Sequence, residues 1–598
     1  VWAPKRKKVS VVIDGNVIGL QPEDNGYFSG VVGTARPGTL YKFKLDEEDY
    51  LYPDPQSRFQ PDGPHGPSRV VDPEAFPWTD MQWRGINPRG LVIYELHLGT
   101  FTPEGSWKAA RAELAELRSI GITLIEVMPI AEFSGRWGWG YDGVDLFAPA
   151  HIYGSVEDAK SFIDEAHRLG MGVILDVVYN HFGPDGNYVK AFSDDYFTDE
   201  YQNDWGESIN FGSEPVRDFY RANAAYWIEE FHFDGLRLDA TQDIHDTSQE
   251  HILTSLTKHA REAAGERTIF VVAENEPQHS WMAEPVQSGG YGLDALWNDD
   301  FQHSAFVCAT GRNEAYYTDY FGTAQEFISA AKYGYLYQGQ RYKWQKKRRG
   351  APSFALKPWN FVTYLENHDQ VANSARGERI STFIDAALYR ALSALLMLGP
   401  STPMLFQGQE FGSTSPFLYF CDHHEELGNL VRTGRVGFLQ QFRSLSQPEM
   451  EGQFPDPCDA STFENSKLDF SERERNARTY SLYKDLIKLR HDDPVFSRPG
   501  PRGVDGAVLA NRAFVMRYFN ETYGDRLLIV NLGRDLHLDP APEPLLAPPL
   551  NRSWKVLWSS EDPRYGGLGT FPPDSDQNWR VAGHSALALA PLLQEENA

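Results

Sequence analysis

The stretch Phe231-His-Phe-Asp-Gly-Leu-Arg-Leu-Asp-Ala-Thr-Gln242 is a short apolar run that ends abruptly in charge. Phe233, Leu236 and Leu238 favour burial, whereas Arg237 and Asp239 belong in a core only when paired or engaged in chemistry. The pattern recurs downstream. Thr268-Ile-Phe-Val-Val-Ala-Glu274 ends a second apolar run in a carboxylate, and Phe361-Val-Thr-Tyr-Leu-Glu-Asn-His-Asp369 ends a third. The earlier run Met171-Gly-Val-Ile-Leu-Asp-Val-Val-Tyr-Asn-His181 closes on Asn180 and His181. Polar residues at one end of several buried parallel strands are what a (β/α)8 TIM barrel presents at its active face.

Outward from that stretch, strand and helix patterns alternate. Strands are expected over 91–98, 122–128, 171–178, 233–239, 268–274, 293–297, 359–365 and 402–406. Between the first two, Trp107, Ala110, Leu114 and Leu117 recur at helical spacing and Gly121 ends the helix. Ser155-x-x-Asp158 marks another helix start. Further helices are expected over 216–231, 248–264, from Phe301, over 381–397 and over 477–491. Such alternation implies parallel strands with right-handed crossovers. A closed barrel is preferred to an open sheet, because polar strand ends are spread through the whole count. The segment 407–475 is poor in regular pattern, which in a compact domain points to function.

The flanks read differently. Residues 1–85 carry short alternating runs joined by Asp14-Gly15 and Asn25-Gly26 turns, the pattern of a small β-sandwich of carbohydrate-binding type. Residues 52–90 are rich in Pro and Gly and are expected to form a linker on the surface. The barrel is assigned to 86–495, and the β-rich residues 496–598 to a C-terminal β-sandwich.

Composition narrows the class. The 598 residues are 41% hydrophobic and 23% charged, as in ordinary globular proteins. A net charge of −27 argues against nucleic-acid and anionic-membrane partners. Cys308, Cys421 and Cys458 lack metal-ligand spacing, which favours free thiols in a reducing, cytoplasmic setting. Adjacent His423 and His424 have no third ligand in step with them, and Lys343-Trp-Gln-Lys-Lys-Arg-Arg349 reads as a solvated loop. No metal and no cofactor are expected. Gly135-Arg-Trp-Gly-Trp-Gly-Tyr-Asp142 sets aromatic rings among glycines just after the second strand, which suits a platform for sugar rings.

Carboxylates at strand ends suit glycoside hydrolysis. A retaining enzyme needs a nucleophile and an acid about 5–5.5 Å apart, and adjacent strands lie about 4.8 Å apart. Asp239 and Glu274 on successive strands meet that need. Arg237, two residues before Asp239, shares its face and is expected to keep Asp239 ionised, while neighbouring carboxylates hold Glu274 protonated. Asp369 is expected to grip sugar hydroxyls.

Asp176-Val-Val-Tyr-Asn-His181, Gly235-Leu-Arg-Leu-Asp-Ala240, Val272-Ala-Glu274 and Glu366-Asn-His-Asp369 resemble the four short regions of the α-amylase superfamily, in their usual order. That resemblance implies Asp239 as nucleophile, Glu274 as general acid/base and Asp369 as transition-state stabiliser. It implies that Tyr141, Asp142, His181, Arg237 and His368 line the subsite of the reacting glucose. The whole chain resembles one branch, the maltooligosyltrehalose trehalohydrolases, through Tyr94–Phe101, Trp297–His303, Glu366–Glu378 and Pro416–Asp422. Those enzymes cut the α-1,4 bond next to a terminal trehalose unit, so the implied substrate is maltooligosyltrehalose. The branch implies substrate contacts from Arg237, Leu238, Ala240, Thr241 and Gln242, from Asp299, Asp300, Phe301, Gln302 and His303, and from His368, Gln370, Val371, Ala372 and Asn373. Gln302 stands where the branch has a His. Asn180 matches a calcium-binding Asn of some amylases, but the branch is not one that needs calcium. The alternatives are a glycogen branching enzyme with the same carboxylates, and an inactive carbohydrate-binding scaffold, against which the three intact carboxylates argue.

Overall fold

The computed structural model describes residues 1–203, 205–498, 503–575 and 578–593. Eight parallel strands close into a barrel: β1 Ile93–Leu96, β2 Leu124–Val127, β3 Gly172–Val177, β4 Gly235–Leu238, β5 Phe270–Ala273, β6 Ala295–Trp297, β7 Phe361–Thr363 and β8 Thr402–Phe406. Each pairs with its neighbours in chain order, and β8 pairs with β1. All eight lie within the spans expected from sequence, trimmed by a few residues at their ends.

Alternation along each strand sorts side chains between two cores. Ile93, Leu124, Ile174, Phe270, Val272, Trp297, Val362, Tyr364 and Met404 fill the barrel interior. Val173, Leu175, Leu236, Leu238, Val271 and Leu405 face outward into the layer of helices, with Trp107, Phe162 and Trp227. Leu175 is 1% exposed, and truncation to Ala would cost about 2–5 kcal/mol through lost transfer energy and the cavity left behind. Gly235 opens β4 at φ 144°, and a Cβ there would lie 1.8 Å from the Phe270 carbonyl oxygen. Only glycine lets β4 and β5 approach at this point.

The helices follow their caps. α1 Trp107–Ile120 is capped by Ser106 and ends at Gly121 in the left-handed region. α2 Val156–Arg168 starts with a capping box between Ser155 and Asp158. α3 Glu214–Glu229, α4 Ile252–Ala264, α5 Asp299–Thr310, α6 Ala324–Tyr333 and α7 Ala386–Leu398 continue the layer. Two helices escaped the sequence pattern: α6, and α8 Glu425–Leu439 inside the segment read as irregular. Only Gly428 and Leu439 of α8 are buried, and its other apolar residues, among them Leu427, Leu430, Val431 and Phe438, stay partly in solvent. α9 Ala477–Asp492 completes the set.

On the N-terminal side, Asn16–Gly19, Val9–Ile13, Leu40–Leu45 and Leu51–Tyr52 form an antiparallel sheet, with Ser68–Arg69 paired to Leu40–Leu45. On the C-terminal side a five-stranded sheet, Val504–Ala510, Ala513–Tyr518, Arg526–Asn531, Ser585–Leu593 and Arg552–Ser559, faces a smaller three-stranded one. It is tied to α7, where Arg390 Nη2 donates to Glu561 at 2.7 Å and the Tyr518 hydroxyl donates to the Leu398 carbonyl at 2.7 Å. No helix among the described residues is long and apolar enough to cross a membrane.

Candidate active site

Arg237 and Leu238 are neighbours with opposite fates. Arg237 points into the barrel, in register with Asp176 on β3 and Val272 on β5. Leu238 points out into the helical layer. Asp239 and Glu274 each stand one residue beyond the Leu238–Ala273 register pair, on adjacent strands. Backbone bonds fix both: Asp239 N donates to the Val177 carbonyl at 3.1 Å and Glu274 N to the Leu238 carbonyl at 3.0 Å. Ala240 follows at φ 38°, a strained value for a residue with a Cβ. The strain aims its N–H at Glu274 Oε2, 3.1 Å away.

One guanidinium ties the carboxylates together. Arg237 Nη1 donates to Asp239 Oδ1 at 2.7 Å and Asp176 Oδ2 at 2.9 Å, and Nη2 donates to Glu274 Oε2 at 2.8 Å. Its plane is backed by the Trp297 ring at 4.2 Å. Arg237 does pull Asp239 towards ionisation, but burial outweighs it, and the carboxyl is pushed up to about 6. Glu274 is pushed up further, to about 7, first by burial and then by the charges of Asp239 and Asp369. From sequence, Arg237 is expected to keep Asp239 ionised and only Glu274 to be raised, whereas both carboxyls are pushed up here. The cause differs, since desolvation exceeds the effect of the neighbouring carboxylates.

The surrounding polar groups are held from behind. The Tyr141 hydroxyl donates to Asp176 Oδ2 at 2.6 Å, and its ring stacks on His368 with centroids 5.2 Å apart. His368 Nδ1 bonds Glu95. Burial disfavours the His368 cation, yet Asp369 and Glu95 prevail and lift it to about 9. His181 is the reverse: burial takes it down to about 4, so it is neutral at pH 7. Its Nε2 faces the Tyr141 carbonyl at 3.0 Å and its Nδ1 meets Asn180 Oδ1 at 2.7 Å. Asn180 in turn donates to Asp239 Oδ2 at 3.3 Å. Among the described residues no group of three His, Cys, Asp or Glu is arranged to hold a metal ion.

These groups open on a cleft of about 260 Å³. Tyr141, Asp142, His181, Asp239, Ala240, Gln242, Glu274, His368 and Asp369 line it. The side chains of Asp239, Glu274 and Asp369 are 10%, 23% and 40% exposed, a rising series towards the mouth. Trp139, Trp205, Tyr419 and Phe420 supply the aromatic walls. Trp205 was not singled out from sequence. It stands alone in a polar loop, and only folding stacks it on His181, at 4.6 Å and 8°.

Several expected substrate contacts do not reach the cleft. Leu238 is spent on the helical layer. Asp300 is fully buried and accepts from Leu336 N at 2.6 Å, from Tyr337 N at 3.3 Å and from the Tyr320 hydroxyl. It fastens the chain after α6. Phe301 packs in the core near Phe327, Gln302 reaches the Leu365 carbonyl, and His303 is buried among Tyr316, Tyr317 and Tyr320. Asp299 is nearer the chemistry. Tyr364 donates to it, burial pushes it up to about 6, and it feels the charge of Glu274. Thr241 is buried, its hydroxyl donating to the Glu274 carbonyl at 2.5 Å. Val371 and Ala372 pack with Trp139 and Phe417. Gln370 accepts from the Tyr317 hydroxyl at 2.8 Å, and Asn373 accepts from Arg435 at 3.1 Å. Leu238 is turned away by strand alternation, and the residues of 299–303 and 370–373 by the winding of the helices they sit on.

Comparison with known proteins agrees with this geometry. The family "Alpha amylase, catalytic domain" matches residues 71–220, and a domain of unknown function, DUF3459, matches 501–577. A malto-oligosyltrehalose trehalohydrolase of Deinococcus radiodurans is 41% identical over 543 residues, 90% of this chain and 87% of that protein. A 1,4-alpha-glucan branching enzyme of Corynebacterium jeikeium is more distant, 29% identical over 69% of this chain and 60% of its own. The crystal structure of a putative alpha amylase from Salmonella typhimurium superposes with a TM-score of 0.87 at 35% identity, covering 99% of this chain and 97% of that one.

Proposed function

The chain belongs to the malto-oligosyltrehalose trehalohydrolase family within the α-amylase group, and from that premise we propose that it hydrolyses the α-1,4 bond next to the terminal trehalose of a maltooligosyltrehalose, with retention. The observation that carries the reading is the single guanidinium of Arg237 bonded to both Asp239 and Glu274 at the floor of an open cleft.

The chemistry follows from the environments. Asp239, the stronger acid of the pair and paired with Arg237 Nη1, attacks the anomeric carbon. Glu274, the weaker acid, delivers its proton to the glycosidic oxygen, so that trehalose leaves as a neutral alcohol. As Asp239 surrenders its charge to the covalent bond, Glu274 can ionise more readily and serve as base for water. Arg237 stays bonded to both through the cycle and costs no reorganisation. Asp369, the most exposed carboxylate, is proposed to hold sugar hydroxyls as the ring flattens, with His368 behind it as a fixed cation. Tyr141 offers a ring face to the reacting sugar, and neutral His181, its ring nitrogens already turned to Tyr141 and Asn180, lines the subsite without adding charge.

Product analysis tests the reading. Maltooligosyltrehalose should yield trehalose and a shortened maltooligosaccharide, whereas plain maltooligosaccharide should be cut far more slowly. Formation of branched glucan would favour transglycosylation as in the branching enzymes, and absence of any product would favour a binding scaffold.

A further inference from the structure

Two of the three cysteines meet beside the cleft. Cys421 is buried, Cys458 is half-buried, and their sulfurs stand 3.5 Å apart and unbonded. Backbone imposes the meeting: Cys421 N donates to the Pro457 carbonyl at 2.9 Å, so the two segments run side by side. A disulfide needs Cα atoms about 4.4–6.8 Å apart and sulfurs at about 2.05 Å. The hydrogen bond at the adjacent residue brings the two backbones close, towards the first condition. Side-chain rotation with a small shift of the chain satisfies the second.

Cys421 also sits where the walls of the cleft join. Its carbonyl accepts from Trp137 Nε1 at 3.1 Å, and it bridges Gly138 in antiparallel fashion. It directly follows Tyr419 and Phe420, which line the cleft. Cys458 comes from a different segment, 37 residues further along the chain. The Cys458 N donates to Asp456 Oδ1 at 2.9 Å and Arg432 Nε donates to the same carboxylate at 2.8 Å, which holds the segment that carries this sulfur. Of the two sulfurs, Cys458 is the more accessible and meets a dissolved oxidant first.

We propose that Cys421 and Cys458 form a reversible oxidation site, whose disulfide shifts the Tyr419–Phe420 wall and slows the enzyme. The chemistry balances with a peroxide as oxidant. The Cys458 thiolate attacks one peroxide oxygen, the O–O bond breaks, and a sulfenic acid and hydroxide form. The Cys421 sulfur then attacks the Cys458 sulfur, the S–S bond forms, and hydroxide leaves. The two thiol protons convert both hydroxides to water. Each sulfur loses one electron and the peroxide gains two. A thiol reductant reverses the link by exchange. The rate effect rests on the glycosidase reading, whereas the cross-link does not.

The test uses the intact protein and hydrogen peroxide. After treatment, a digest without reductant should contain one peptide joining Cys421 to Cys458, with Cys308 still a thiol. A displacement of about 1 Å at a substrate-contacting wall can cost up to about a hundredfold. The expected fall in kcat/KM is about tenfold, restored by dithiothreitol. Cys458→Ser, and Cys458→Ala should the first fold poorly, should keep the reduced rate and lose the response to peroxide. The proposal is overturned if no linked peptide forms, if Cys458 is oxidised alone, or if the linked enzyme retains its full rate. Should the untreated protein cleave no α-glucan, the glycosidase reading fails together with the rate effect, and the linked peptide still decides whether the oxidation site exists.

Discussion

At the C-terminal end of the barrel, three carboxylates, Asp176, Asp239 and Glu274, share the guanidinium of Arg237. At the N-terminal end, His167 lies between Asp80 and Asp234 at 2.8 Å each, His232 adds a second bond to Asp80 at 2.7 Å, and Arg267 stands 3.6 Å from Asp234. The ingredients are alike, but the balance differs. Below, His167 and Arg267 face two carboxylates, and donors satisfy both oxygens of Asp234, from Trp83 at 2.7 Å and from Val173 N at 3.0 Å. Stacked rings seal that end, Trp83 on His167 and Trp78 on His232. Burial would raise Asp80, yet the bonds from His167 and His232 hold it well below the usual carboxylate range. Above, one cation serves three carboxylates beside an open cleft, and Asp239 and Glu274 are pushed up instead. Cations matched to carboxylates in a sealed site make a clamp. A shortage of cations at an open mouth leaves carboxyls that can exchange protons.

The contrast breaks most readily at the upper end. Asp239→Asn and Glu274→Gln should each lower kcat by about 10²–10⁴-fold, because each removes a chemical step. Thermal unfolding of either variant should stay close to wild type. A near-normal rate in either would dissolve the distinction between the two clusters.

The lower cluster should respond the other way. Asp234→Ala leaves His167 and Arg267 without their buried partner, so stability should fall by about 3–5 kcal/mol while kcat per folded molecule is kept. Denaturant unfolding and active-site titration measure the two separately. A loss of kcat at unchanged stability would reverse the assignment.

Titration sharpens the comparison. The upper pair should give a bell-shaped kcat/KM, falling on the acid side near pH 6 as Asp239 is protonated and on the alkaline side near pH 7 as Glu274 ionises. Below, burial opposes the His167 cation, but Asp234 and Asp80 raise its pKa overall. Its stabilisation is therefore complete below the unfolded value of about 6.5 and is lost as pH rises through the raised folded value. Asp80 contributes above its unfolded value and is lost as pH falls through the depressed one. Unfolding followed against pH should show a mild decline above neutrality that His167→Gln removes.

The smallest effect concerns Asp300. It is a buried fastener with no access to the cleft, so Asp300→Ala should cost about 1–3 kcal/mol in stability. The ratio of kcat/KM for maltooligosyltrehalose and plain maltooligosaccharide should stay constant. A selective loss on the trehalose-ended substrate would put Asp300 back among the recognition residues.

Much of this architecture was legible in the chain. Each barrel strand carries its own apolar run, and Asp239 and Glu274 directly follow theirs because strand geometry is local, whereas Asp369 lies beyond β7 on a short helix. Residues that depend on a partner from elsewhere were less legible. Trp205 needs His181 behind it. The Asp80–His167–Asp234 clamp joins a linker, a helix and a loop, and no linear motif spans the three. α8 was missed because Gly428, Gly434 and Gly437 lower the helix propensity of a stretch whose apolar spacing is otherwise helical.

The sequence by itself determined the closed α/β alternation, the candidate carboxylates Asp239, Glu274 and Asp369, and the pairing of Arg237 with their face, since period-two alternation fixes which strand residues point inward. Tertiary structure alone decided how those groups behave. Burial, which no single segment controls, lifts Asp239 and Glu274 above their ordinary values. The winding of short helices after β6 and β7 turns Asp300, Phe301, Val371 and Ala372 away from the cleft and leaves Asp369 at its mouth.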